Sequence, residues 1–214
     1  NISNSTTVST IDTVDRSSIT YVWTTLTESA TTLTIGDDVV QGPFNIGFTF
    51  AFYGTNYTQF YVNSNGSIGF DNQPLNYNDA IPDSNSGPSI AGLVQDYNPY
   101  VGGTVKYECQ GTAGSRVLIV EYSRVPEYNY VNKNSFQIKI YETGNIEVHT
   151  LNCFDDSGGG ITQGLQKDMH IYNVDPARNQ ESLTLTNDAV RWGNFGSSAT
   201  TSIWYAGDNS LDTT

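Results

Sequence analysis

The residues of this chain that can do chemistry are its carboxylates, its tyrosines, two histidines and two cysteines. Carboxylates stand in pairs at Asp37-Asp38 and Asp155-Asp156. Glycosidase chemistry needs two carboxyls facing each other across a sugar bond. Neighbours on a turn point apart, so these pairs read as turn formers first and calcium ligands second. Calcium takes about six to eight oxygen ligands, and Asp71, Asp79, Asp83, Asp96, Asp155 and Asp156 all fall on loop-like stretches able to converge. Asp96 is the candidate metal ligand, although the chain carries no EF-hand or repeat-type calcium motif. His149 and His170 sit in no nucleophile motif such as G-x-S-x-G and lack the spacing of metal ligands. His149 alternates with Ile146 and Val148 in a strand-like run, which directs it to solvent. The expectation is a chain without catalytic residues and without an obligatory cofactor.

Cys109 ends one strand pattern, residues 104–109, and Cys153 follows another, residues 145–152. Adjacent strands bring such residues within bridging distance, so a disulfide is expected, with two buried free thiols as the alternative. Tyr97, Tyr100, Tyr128 and Tyr130 cluster in the loop-like QDYNPY and EYNYVN stretches. Ring faces and hydroxyls make them candidate glycan contacts; the alternative is that they close the open ends of a sandwich. Of four N-x-[ST] sequons, those at Asn4, Asn56 and Asn65 are the glycosylation candidates.

The elements that must position these groups are strands. Phe44, Ile46, Phe48 and Phe50 fall on one face at period two, Gly54 breaks the run, and Phe60 and Val62 restart it. Asn65-Gly66 predicts a type I′ turn joining residues 57–64 to 67–71 as a hairpin. Further strand patterns cover 19–26, 31–35, 90–94, 104–109, 117–122, 136–142, 146–151, 161–166, 183–186, 189–192 and 202–206, with a long Asn/Asp/Pro-rich loop over 72–88. No amphipathic helix of ten residues is visible, so the fold class is all-β, an antiparallel, jelly-roll-like β-sandwich. It divides into an N-terminal extended segment with the first strands (1–43), a sandwich core (44–192) and a C-terminal strand and tail (193–214), one globular domain overall.

Composition sets the partners. Nine Lys and Arg against 22 Asp and Glu leave a net charge of −13 over 214 residues. Such a charge repels phosphate backbones and anionic headgroups, which argues against nucleic acid. No apolar run approaches the ~20 residues of a membrane span. Charged residues make up only 14% of the chain, so Thr, Ser, Asn and Gly must build the surface, as in many extracellular β proteins.

Six motifs then occur in order: an F-x-F-x-F-Y-G run at 48–54, a Y-V-x-S-N-G-x-I-x-F hairpin at 61–70, an apolar strand with an acidic turn at 90–98, G-G-T-V-x-Y at 102–107, F-Q-I at 136–140 and E-T-G-N-I-E at 142–147. A closing G-L-Q … P-A-R-N … N-D-A-V-R-W region follows at 164–192. This series resembles nidogen-like adhesion modules, the β-sandwiches of prokaryotic surface proteins. Where that family's acidic turn pairs two Asp, this chain has Gln95-Asp96. The resemblance implies an extracellular, non-enzymatic, adhesive or structural module, at a cell surface or as a filament subunit. Self-association by β-strand exchange would use Thr6, Val8, Ile11 and Val14, or residues 202–206, to complete a neighbour's sheet edge. The alternative function is a lectin-like module that binds glycans through the loop tyrosines, with calcium.

Overall fold

The computed structural model describes residues 14–193. Its strands are β1 (Asp15–Ser18), β2 (Thr31–Leu33), β3 (Val40–Phe52), β4 (Thr55–Asn63), β5 (Ser67–Gly69), β6 (Ser89–Val94), β7 (Thr104–Gln110), β8 (Val117–Pro126), β9 (Lys133–Tyr141), β10 (Ile146–Phe154), β11 (Thr162–Gln166), β12 (Tyr172–Val174) and β13 (Thr184–Gly193). They form two antiparallel sheets, seven strands in the order β1-β13-β10-β9-β8-β7-β2 and six in the order β12-β11-β6-β5-β4-β3. The two sheets pack face to face as the all-β sandwich that the alternating apolar residues predict.

Period-two alternation does the sorting. Along β3, Ile46, Phe48, Phe50 and Phe52 are buried while Asn45, Gly47 and Thr49 face out. Full burial of one such side chain stabilises by about 1.5–3 kcal/mol. The facing sheet supplies Tyr122 and Phe136, whose rings stack with centroids 4.6 Å apart. The Tyr122 hydroxyl crosses the core to donate to the carbonyls of Asn63 (2.6 Å) and Ser67 (3.2 Å). At Gly92 of β6 a Cβ would lie 2.7 Å from Ile138 of β9, so the sheets approach there only because that position has no side chain.

Several expectations are corrected. The β4–β5 hairpin forms, but Asn63 pairs with Ser67, leaving a three-residue loop in which Gly66 alone has positive φ, at 93°; a type I′ turn needs two such residues. The two patterns at 183–186 and 189–192 are one strand, β13. Cys109 is on β7 and Cys153 on β10, with β8 and β9 between them. Three strand spacings amount to about 14 Å, twice the reach of a disulfide, and both thiols are free, Cys109 exposed and Cys153 buried.

Residues 19–26 are the largest departure from the strand pattern. β1 pairs with β13 at one edge of the seven-stranded sheet and β2 with β7 at the other. The chain between them crosses the sheet's outer face as an extended strap that belongs to neither sheet. It covers side chains that alternation alone points at water, so Gln137, Lys139, Glu147 and His149 are all at most 3% exposed. Since β1, β2 and the start of β3 are integral to the sheets, residues 14–43 fold with the core. Thr6, Val8, Ile11, Asn4 and residues 202–206 lie outside the described residues. Val14 sits in the chain's own core, 7% exposed.

Candidate functional site

Four connections meet at one end of the sandwich. The β6–β7 loop is tied to the β8–β9 loop through Tyr128 N–H to the Asp96 carbonyl (2.6 Å) and Asn98 N–H to the Pro126 carbonyl (3.0 Å). Asn65, fully buried at the β4–β5 turn, joins them to the β2–β3 turn. Its side-chain Oδ1 accepts from Tyr97 N–H (2.8 Å) while its side-chain Nδ2 donates to Asp38 (2.7 Å) and Asn76 (2.7 Å). The hairpin loop itself is fixed by contact, since a Cβ on Gly66 would meet the Leu93 carbonyl at 2.2 Å.

This knot brings Asp37, Asp38 and Asp96 together, with one carboxylate oxygen of each within 4.8 Å of the others. Burial pushes the Asp96 carboxyl up to about 6, and the negative charges of Asp38, Asp37 and Glu127 push the same way. Asp37 is raised by burial and by Asp38. One Asp37 oxygen is buried without a hydrogen-bond partner. These are the described residues placed to take a cation, and they supply about half of the six to eight oxygens that calcium requires. Of the six carboxylates expected to converge, only Asp96 joins the group. Asp71, Asp79, Asp83 and Asp155 accept from backbone N–H groups of their own loops, and Asp156 accepts from Asn132. Asp37 and Asp38, read as turn formers first and calcium ligands second, are its partners, a grouping with Asp96 that sequence spacing concealed.

The same loops carry the exposed apolar surface. Tyr100 is 84% exposed, Val101 64% and Val131 83%, with Tyr128 and Tyr130 half-exposed beside them. Tyr97 does not belong to this surface: it is fully buried, its ring 6.0 Å from that of Phe136. A cleft of ≈ 210 Å³ lined by Leu33, Ile35, Pro99, Tyr100 and Val105 runs alongside. That is below the ~300–1,000 Å³ of an enclosing small-molecule pocket, so this end of the molecule can make surface contacts rather than engulf a ligand. Of the sequons, Asn56 is exposed on β4, while Asn65 is fully buried and closed to glycosylation by its structural bonds.

A second polar group lies under the strap. Burial pushes the Glu147 carboxyl up, but hydrogen bonds from His149 (2.8 Å), Tyr141 (2.8 Å) and Arg191 (2.7 Å) outweigh it and hold the group down at about 2. Burial brings the Lys139 ammonium down to about 8 against the pull of Glu147. His149, expected in solvent, is 2% exposed. Its Nδ1 accepts from Val22 N–H (3.1 Å), which leaves Nε2–H to donate to Glu147. Both ring nitrogens are therefore occupied, and the histidine has no free lone pair for a substrate proton.

A family model described as NIDO related matches residues 13–205. The chain belongs to the NIDO-related family. No curated protein and no solved structure matches it. The motif series at 48–192 that resembles nidogen-like modules thus lies within the matched region of this NIDO-related chain, and membership points to an extracellular type of module. Among its described residues no helix is long and apolar enough to cross a membrane. The match places both the loop end and the strap inside the NIDO-related region, so neither is an appendage to it.

Proposed function

We propose that this NIDO-related chain is an extracellular adhesive module whose contact surface is the loop end bearing Tyr100, Val101, Tyr128, Tyr130 and Val131. The observation that carries the reading is the concentration of large exposed apolar side chains on two mutually hydrogen-bonded loops. Elsewhere among the described residues the exposed large apolar side chains are Val22, Val40, Leu151 and Met169, and patches of the loop-end kind mark interaction sites. Tyrosines give such a surface rigid contact area with a polar tip, which suits a carbohydrate-bearing partner, and the adjoining carboxylates favour sugar hydroxyls over anionic groups. The test is binding of the native protein to a glycan array and to intact cells. Tyr100→Ala with Tyr128→Ala and Tyr130→Ala should abolish adhesion with an unchanged far-ultraviolet spectrum; adhesion that survives the triple substitution refutes the assignment.

A second reading, structural self-association, has its own observation. The N-terminal segment enters the fold as an edge strand of only four residues, β1, and short edge pairings exchange between subunits at low cost. Light scattering and electron microscopy of the full chain test it. Concentration-dependent dimers or fibres support the reading, and a monomer at every concentration removes it.

A further inference from the structure

The strap over the outer face is held in an unusual way. Apart from Ile19 N–H to the Ala189 carbonyl at its start and the turn from Ala30 N–H to the Thr27 carbonyl at its end, its backbone is read by side chains. Val22 gives its N–H to His149 and its carbonyl to Lys139 Nζ (2.7 Å). Thr24 does the same with the Gln137 amide, N–H to Oε1 (3.0 Å) and carbonyl from Nε2 (2.7 Å). Thr25 accepts from Gln110 Nε2 (3.1 Å), and Thr27 donates both its N–H (2.8 Å) and its hydroxyl to Glu108.

Two consequences follow. The face is built to be occupied, because uncovering it takes from Lys139, Gln137 and His149 the strap groups that they bond and leaves Gln137 with Glu121 and His149 with Glu147 alone. The face also recognises the strap mainly through its main chain, with the Thr27 hydroxyl the one strap side chain among these bonds and Val22 itself 56% exposed. An arm from a second copy of this chain therefore fits as well as its own.

We infer that residues 14–27 form an exchangeable arm and that the outer face of the seven-stranded sheet accepts the arm of a second copy. This rests on the self-association reading. The hinge is the exposed Glu28-Ser29 turn that leads into β2. β2 is the edge strand of its sheet, so a reciprocal exchange places the β2 edges of both copies next to each other and closes as a two-fold dimer. Every contact of the arm is conserved between the closed monomer and the exchanged dimer; only the hinge changes conformation.

The experiment is a disulfide trap in the full chain carrying Cys109→Ser, Thr24→Cys and Gln137→Cys, separated by size and then oxidised. The dimer fraction should yield covalent dimers on a non-reducing gel, and the monomer fraction internally linked monomers. A dimer fraction that yields only internally linked monomers overturns arm exchange while leaving self-association standing. Deleting Glu28 and Ser29 shortens the hinge and removes only the turn bonds to Thr27 from Ser29 N–H (3.1 Å) and Ala30 N–H (3.2 Å), leaving the arm's bonds to the sheet face in place, and it should move the main species from monomer to dimer mass with the strand spectrum retained. A hinge-shortened chain that stays monomeric overturns the proposal independently of whether the cysteine variant folds.

Discussion

Asp96→Asn tests the electrostatics of the loop end directly. In the folded chain the Asp96 carboxyl lies at about 6 against an ordinary 3.8, with burial the largest cause and Asp38, Asp37 and Glu127 adding to it. Folding therefore favours its protonated form. The group costs nothing below pH ~4, where folded and unfolded chains both hold the proton; its penalty grows between about pH 4 and 6 and is constant above. At 1.36 kcal/mol per unit the full shift corresponds to about 3 kcal/mol. Because the side chain is only partly buried, solvent screening reduces this to about 1–2 kcal/mol. Asparagine keeps the shape and removes the charge, so the variant should be more stable than wild type by that amount at pH 7.5 and equal to it at pH 3.5. Urea unfolding at both values, with a chelator present, measures the difference. Equal stability at pH 7.5, or a less stable variant, refutes the claim that burial and the neighbouring carboxylates penalise the Asp96 charge without compensation.

A divalent cation relieves the same repulsion by another route. Calcium added to wild type at pH 7.5 should raise the thermal midpoint, and Asp37→Asn with Asp96→Asn should abolish the rise; an unmoved wild-type midpoint means that the group takes no calcium. Glu147→Ala leaves Arg191, Tyr141 and His149 without their shared acceptor and should cost about 3–5 kcal/mol in chemical denaturation. Since the folded-state Glu147 carboxyl lies at about 2, its stabilisation is present above pH ~4.5 and lost as pH falls towards 2, so the variant and wild type should converge in acid. Tyr122→Phe removes a donor from two buried carbonyls that bridge the sheets and should cost about 1–3 kcal/mol, read by equilibrium unfolding. A thiol reagent should titrate Cys109 in the native protein and Cys153 only after denaturation, with reductant leaving the unfolding midpoint unchanged; a midpoint that drops on reduction restores the disulfide.

What could be read from the chain without its structure was local. The alternation at Phe44 to Phe52 and at Phe136 to Ile140 determines strands because a pleated chain exposes opposite faces at successive residues. Glycine at 66 and 144 determines where strands turn, because both backbones need positive φ. The order of the motifs from 48 to 192 was enough for the family. The structure decided which strands are neighbours and what covers each face. Cys109 and Cys153 both end strands, yet pairing depends on sheet order, and two strands separate them. His149 has the alternation of a solvent-facing residue, but the strap lies across it, and a covering segment more than a hundred residues away leaves no mark on local periodicity. The Asp37–Asp38–Asp96 group joins residues almost sixty positions apart through the side chain of Asn65, a residue whose local sequence signals only a turn. Sequence determines the conformation of short segments because that depends on neighbouring sterics; the loop end and the covered face arise from long-range packing, which only the folded chain decides.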